Sequence, residues 1–417
     1  MRPPDARPSC HPDHPWAPTG MPPLRSGPPY IMADAIARQP AAAERLTREA
    51  LSSGGARAVA ALLRSAAAGL SERPGTGARP PATSGVGASW PPVVLGCGSS
   101  EHAALAAAAI WREAWRRARL PGPGPVARQA FEAAQDPWPG TTIAISHEGG
   151  TWATVEALRA AKSRGARRGL ITAGANSPCA ELAEAIICTP DLDPSWCHTL
   201  AYLAPIVAAA AVGAELTGAT SDPLAVRRLI EAGVAAEEEA RALAGALATS
   251  RTVTLVASGA DRPAGRELAL KIEEASHVPA SYRDLETLLH GHLTALDVGS
   301  GLVLILTDRD GRPARVARAA QALAAAGRVG ARCGAILASA ISEAIPAQLT
   351  PAGRVVVPEA PELPAPAAAT IGSAAPLQLT AYHMAVALGT NPDALRQESA
   401  PYRLAAEALA VELPAAR

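Results

Sequence analysis

The sequence predicts an α/β protein with two parallel sheets, each flanked by helices in a doubly wound, flavodoxin-like arrangement. Three observations predict it. From Pro92 onward, short β-branched runs alternate with alanine-rich helical patterns, as parallel strands joined by helical crossovers require. The runs fall into two sets of four. VVLG (93–96), TIAIS (142–146), GLITA (169–173) and AIICT (185–189) make the first; TVTLVASG (252–259), LVLILTD (302–308), GAIL (334–337) and RVVVP (354–358) make the second. The sets also repeat one another. GARRGLIT from Gly165 recurs as GARCGAIL from Gly330, the loop at Gly96 recurs near Ser258, and the Ala201-Tyr202 helix recurs as Ala381-Tyr382. Recurrence in the same order implies two duplicated domains, read as residues 41–222 and 223–395, with a tail over 396–417.

The connecting segments follow from composition. Residues 1–40 are rich in proline and lack an apolar run of export-signal length, so they are expected to be disordered and not a leader. Met32 opens MADAIARQ, which reads as an ordinary start, and residues 1–31 are expected to be dispensable. A second proline- and glycine-rich stretch, 71–92, separates the leading helix from the first strand. The most apolar run, LAYLAPIVAAAAVGAELTG (200–218), is alanine-rich and contains Pro205 and Glu215. It is expected to be a buried helix, not a membrane span.

The whole chain of 417 residues has a formal net charge of zero and a pI near 7.1, and this argues against nucleic-acid or anionic-membrane partners, which leave a basic footprint. Its six cysteines (Cys10, Cys97, Cys179, Cys188, Cys197, Cys333) form no CxxC pair and no metal-ligand spacing. They read as reduced thiols in a cytoplasmic protein that uses no metal. No cofactor is expected either.

Chemistry concentrates in residues 266–297, RELALKIEEASHVPASYRDLETLLHGHLTALD. Only Lys162 and Lys271 are lysines among 38 basic residues, so Lys271 stands where arginine is the default. A compact ammonium can lose its proton or bond to one oxygen, and guanidinium does neither well. Glu274 follows one helical turn later on the same face. The turn His290-Gly291-His292 adds imidazoles, so the segment carries the two group types that move protons near neutral pH. Two further loops have the composition of anion sites at strand ends. In VVLGCGSSEHAALAAA, Gly96 and Gly98 permit a tight turn, and Ser99 and Ser100 place hydroxyls at a helix start. In IAISHEGGTWATVEALRAA, Ser146, Gly149, Gly150 and Thr151 do the same.

GCGSSEHAALAA, AISHEGGTWATVEALRAAKSRGARRGLIT, LALKIEEAS ending in HGHLTALD, and PLQLTAYHMAVALGTNPD together resemble the paired sugar isomerase (SIS) domains, most closely the isomerase half of glucosamine-6-phosphate synthase. The resemblance covers about residues 45–398. Within the 417 residues no glutaminase pattern and no helix-turn-helix pattern precedes it. It implies two tandem SIS domains that bind a phosphorylated or amino sugar. Gly98, Ser99, Ser100, Ser146, His147, Glu148 and Thr151 then form the binding loops, with Ser99, Ser100, Ser146, His147 and Thr151 at phosphate-contacting positions. Glu274 falls where the family keeps its base for moving a proton between C1 and C2, with Lys271 one turn before it. His290 falls where a histidine assists ring opening from a second subunit, which implies a homodimer.

Two departures qualify the implied reaction. The second loop of the family reads SQSGET, with serine where this chain has Glu148. A like charge about 4 Å away at an effective dielectric of about 20 is worth roughly 4 kcal/mol, more than a helix N-terminus returns. Glu148 is therefore expected to face away from a phosphate, unless the ligand presents hydroxyls or an amine there. The tail NPDALRQESAPYRL also lacks the lysine that forms a Schiff base in the synthase. The expected activity is isomerisation or deamination of the sugar. A non-catalytic sugar-phosphate sensor and an ammonia-dependent aminotransferase are the alternatives.

Overall fold

A computed structural model describes residues 22–68, 90–189 and 193–409. The first part of the chain forms α1 (Ile31–Ser52), α2 (Gly55–Ala68), β1 (Val93–Gly96), α3 (Ser99–Arg117), β2 (Val126–Gln129), α4 (Ala130–Gln135), β3 (Thr141–Ile145), α5 (Trp152–Ser163), β4 (Arg167–Thr172), α6 (Pro178–Leu182), β5 (Ala185–Cys188) and α7 (Leu200–Thr217). The second forms α8 (Pro223–Ala235), α9 (Glu237–Leu247), β6 (Thr252–Ala257), α10 (Arg262–Ser276), β7 (Ala280–Asp284), α11 (Leu285–Leu289), β8 (Ser300–Leu306), α12 (Arg312–Arg328), β9 (Arg332–Ala338), β10 (Gly353–Val357), α13 (Ala365–Gly372), α14 (Ala374–Leu388) and α15 (Ala400–Leu409).

Both sheets are five-stranded, and every pairing in them is parallel. Their orders correspond strand for strand, β2-β1-β3-β4-β5 and β7-β6-β8-β9-β10. All eight strands expected from the sequence are present. The two that it did not reveal, β2 (VARQ) and β7 (ASYRD), occupy equivalent edges and are only half-buried along their length. A half-buried edge strand needs no continuous apolar run, so periodicity carries no mark of these two, whereas the opposite edges, β5 and β10, keep apolar runs.

Alternation within the inner strands sorts side chains into three cores. Val94, Ile143, Ile145 and Ile171 of the first sheet and Val253, Leu255, Val303 and Ile305 of the second face one continuous core. The opposite faces have separate cores: Val93, Leu95 and Leu170 pack under α4 to α6, and Val256, Leu302 and Leu304 under α11 and α12. The domains are thus joined through their inner faces. Alanines let the helices between them approach closely, and the Trp111 indole of α3 donates across that contact to Ala209 O of α7 at 2.8 Å. Among the described residues α7 is the one helix long and apolar enough to cross a membrane, and 72% of it is buried inside the fold. This is the core helix expected for residues 200–218.

The N-terminus departs from expectation. Residues 22–40 are ordered into the fold, with α1 beginning at Ile31, well before the expected boundary at 40. Proline at 40 does not break the helix, because α1 buries Met32, Ile36, Pro40 and Leu46 against α7, α8 and α14. Asp393 caps it from the far end of the chain, accepting the N–H of Ile31 at 2.9 Å and of Met32 at 3.0 Å. Tyr30 is buried, its ring 6.5 Å from that of Tyr382. Residues 1–21 and most of the 71–92 stretch lie outside the described residues. Of the described cysteines, Cys97, Cys179, Cys197 and Cys333 are free thiols as expected, and Cys10 lies outside the described residues.

Two stability outcomes follow. Asp393→Ala removes a helix cap that no neighbouring residue replaces and should cost about 1–2 kcal/mol in denaturant titration. A chain beginning at Met32 loses the buried Tyr30 and Ile31 and should melt below one beginning at Pro22. Equal melting temperatures would contradict this packing.

Candidate active site

The site is built where α3, which opens at the end of β1, meets α10. At the start of α3, Gly96 allows the helix to tuck against the strand end, since a Cβ there would lie 2.5 Å from the Ser100 backbone. Gly98 has φ +57, a conformation that other residues rarely adopt. The amides of Ser100 and Glu101 are already bonded to Cys97 O (3.1 Å) and Gly98 O (2.9 Å), so this helix start is only partly open to an anion. Ser100 and Ser99 are both nearly buried.

Glu267, Lys271 and Glu274 project from one face of α10, four and three residues apart. Glu267 is fully buried and Lys271 is 1% exposed. The Glu267 carboxylate accepts the Ser99 hydroxyl at 2.8 Å and meets His102 Nδ1 at 2.7 Å, both from α3, while Lys271 Nζ lies 3.6 Å away. Burial opposes its charge, but Lys271, His102 and Ser99 together hold its pKa below the ordinary value. Lys271 also donates to Glu274. Burial alone would lower the lysine, yet Glu274 and Glu267 raise it, so it stays an ammonium. Of the two uses the sequence left open for Lys271, bonding to oxygen is the one the structure provides. Burial raises Glu274 above its usual range against the opposing pull of Lys271. Its side chain keeps 22% exposure and opens on a cavity of about 400 Å³ that also takes His277, Arg396 and Tyr402.

The second loop reaches this cluster through residues 193–199. His147 Nε2 accepts the Asp193 N–H at 3.0 Å, and its ring lies 5.0 Å from that of His198. Burial lowers the pKa of both histidines, with Lys271 a further cause at His198. His147 is therefore neutral, and Nε2 is committed to the backbone. Beside Glu274 sits the buried Cys197 thiol. Buried polar atoms without full partners mark a place for a ligand or water. Three lie on these two segments: one oxygen of Asp193, the Ser195 hydroxyl, and Ser146 Oγ, which meets only the weak Cys179 thiol. Gly149 packs so closely that a Cβ would meet Ser177 Oγ at 1.9 Å. Thr151 begins α5 exposed, with its hydroxyl not used as a cap. Glu148 is half-exposed beside His147.

The structure thus brings Ser99, Lys271 and Glu274 together, with His147 joined through His198. It does not bring His290 to them within one chain. That ring is exposed and bonds to Glu286 at 2.9 Å. Sequence reasoning missed Glu267, His102, Asp193, Cys197 and His198. The spacing of Glu267 before Lys271 was a usable signal, as was His102 one turn after Ser99. Asp193 to His198 form no motif and are placed by tertiary folding alone.

No family model matches the chain. It is 25% identical over 314 residues to a glutamine–fructose-6-phosphate aminotransferase (isomerizing) of Thermococcus kodakarensis, covering 72% of this chain and 50% of that protein. A Rhizobium meliloti protein of the same name is 28% identical over 313 residues, 71% of this chain and 49% of its own. The chain spans about half the length of the curated relatives it matches. Among solved structures, the C-terminal domain of glucosamine-fructose-6-phosphate aminotransferase from Francisella tularensis superposes with a TM-score of 0.71 at 18% identity, covering 89% of this chain and 99% of that one. Tagatose-6-phosphate ketose/aldose isomerase from Escherichia coli gives 0.65 at 16% identity, with 90% and 98% covered. The fold is that of the double sugar-isomerase (SIS) proteins. Within that class the chain resembles the isomerase half of glutamine–fructose-6-phosphate aminotransferase.

Because Glu267 joins both domains, Glu267→Ala strips Lys271, Ser99 and His102 of a shared partner. Breaking a buried ion network of this kind costs about 3–5 kcal/mol, so unfolding should shift to markedly lower denaturant. A loss under about 1 kcal/mol would show that the cluster is not what ties α3 to α10.

Proposed function

We propose that the chain binds a phosphorylated or amino sugar and moves a proton between adjacent carbons, as aldose-ketose isomerisation or deamination requires. The observation that carries this is Glu274, a carboxylate held by a buried ammonium with one edge open to a cavity of about 400 Å³. That volume lies within the usual range for small-molecule sites. Glu274 is the base; Lys271 positions it and holds its charge. Ser100, Ser146 and Thr151 hold the phosphate, while Ser99, engaged with Glu267, positions the helix. The exposure of His290 supports a homodimer in which each chain lends that residue to the other's cavity, and the protein is read as cytoplasmic.

A non-catalytic sensor is the second reading, favoured by one observation. Beside the cavity the tail carries Arg396, whose guanidinium does not form the Schiff base of the synthase route. Glu274→Gln separates the two, since the amide keeps shape but takes no proton. With fructose 6-phosphate in deuterium oxide, wild type should exchange the transferred hydrogen and the variant should lose at least about 100-fold in rate with binding retained. Exchange unchanged in the variant, or absent in wild type, removes Glu274 as base.

The raised pKa of Glu274 has a sign consequence. The base works only when deprotonated, so kcat/KM should fall on acidification through a limb lying above the ordinary carboxylate value. A limb at or below that value would contradict the burial of Glu274.

Glu148→Ser tests the ligand's charge. An outward-facing Glu148 predicts unchanged affinity for glucosamine 6-phosphate and for glucosamine. Tighter binding of the phosphosugar shows that repulsion was present; weaker binding of glucosamine, by about 1.5–3 kcal/mol for a charged hydrogen bond, shows that Glu148 holds an amine. Calorimetric titration reads the sign.

A further inference from the structure

At the carboxyl end of the second sheet lies a cavity of about 1020 Å³ that the reading above leaves unused. Its floor is the loops after β6 and β8, at Ser258-Gly259 and Asp308. These are the strand positions whose counterparts in the first sheet carry the Ser99 and Ser146 loops, and doubly wound sheets take ligands there. The two loops are fixed to each other. Buried Asp261 accepts the N–H of Thr307 at 2.8 Å and of Asp308 at 2.9 Å, and Ala260 N donates to Asp308 Oδ2 at 2.9 Å. Asp308 in turn holds Arg315 at 2.5 Å. The Arg315 guanidinium lies over Gly259, where a Cβ would come within 2.4 Å of it.

The facing wall comes from the first domain, along the C-terminal half of α3. Five arginines and three aspartates line the cavity, which leaves an excess of positive charge. Some of that charge is matched locally: Arg262 binds Asp284 through two bonds of 2.5 and 3.0 Å, and Arg116 pairs with Glu113. Arg112 and Arg119 have no hydrogen-bond or ion-pair partner among the described residues. Arg112 is exposed on the cavity, and desolvation, then the like charges of Arg116 and Arg262, lowers its pKa with no carboxylate close enough to offset them. Asp310 and the Ser258 hydroxyl lie on the same cavity.

We propose that this cavity is a second ligand site, which takes a phosphate monoester of a polyhydroxylated small molecule, with the phosphate on Arg112 and Arg119 and hydroxyls on Asp310 and Ser258. A doubly charged tetrahedral anion offers each guanidinium fork two acceptors, and the carboxylate and hydroxyl accept from sugar hydroxyls. The volume is at the upper end for a small-molecule pocket. The site is separate from the first: at about 1.5 Å per helical residue, Arg112 lies about 20 Å along α3 from Ser99.

Calorimetry on the full chain with fructose 6-phosphate, fructose and inorganic phosphate tests this against two variants, R112Q/R119Q and S100A/S146A/T151V. The variant lacking the first-domain hydroxyls should keep a binding event for fructose 6-phosphate that fructose does not produce. R112Q/R119Q should weaken that event by about tenfold or more, as loss of charge-assisted bonds implies. Wild-type stoichiometry and affinity in R112Q/R119Q overturns the second site. Inorganic phosphate binding as tightly as fructose 6-phosphate overturns the part played by the hydroxyls. Failure of the first-site reading looks different: S100A/S146A/T151V would then be indistinguishable from wild type while R112Q/R119Q loses all binding. Matching circular dichroism spectra establish that each variant is folded.

Discussion

The buried ion cluster at Glu267 is the constraint on which the rest of the structure depends. A carboxylate and an ammonium sealed from water are costly unless each finds partners, and here those partners come from both domains. Ser99 and His102 approach from α3, Lys271 from α10, and Lys271 then fixes Glu274. The cluster therefore fixes how the domains meet, and the same contacts orient the carboxylate that faces the cavity. On the proposed function, stability and chemistry would share one set of side chains. The shared inner core gives the cluster its dry surroundings, and α1, capped by Asp393, closes that core from the N-terminal side.

Much of the fold could be read from the sequence because buried parallel strands write themselves as apolar β-branched runs. The six inner strands and the edge strands β5 and β10 did so; VARQ and ASYRD, half-buried along their whole length, did not, since that position places no such demand on composition. The start of the leading helix was misjudged for a related reason. Its proline suggested a chain without structure, whereas burial against three helices and a cap supplied by Asp393, far away in sequence, offset that weakness. Local pattern does not register a partner some 360 positions distant.

The site was legible in proportion to how much of it lies on one element. Lys271 and Glu274 share a helix face, and the serine and glycine loops stand at strand ends, so spacing and composition pointed to them. The role of Lys271 was less visible. Whether it loses its proton depends on Glu267 and Glu274 together, and only their joint burial shows that they keep it charged. Asp193, Cys197 and His198 carry no motif at all. They bridge the second loop to the cluster because a single segment passes between them, and that is a property of the folded chain.

The central claim is that a sugar phosphate lies with its phosphate at Ser100, Ser146 and Thr151 and its C1–C2 bond at Glu274. A crystal structure of the chain with glucitol 6-phosphate, an open-chain analogue, tests it most directly. The account predicts the phosphate within hydrogen-bond distance of those three hydroxyls and the Glu274 carboxylate within about 3.2 Å of the hydroxyl on C1 or C2. A glucitol chain that lies away from Glu274, with its phosphate elsewhere in the first domain, would contradict it.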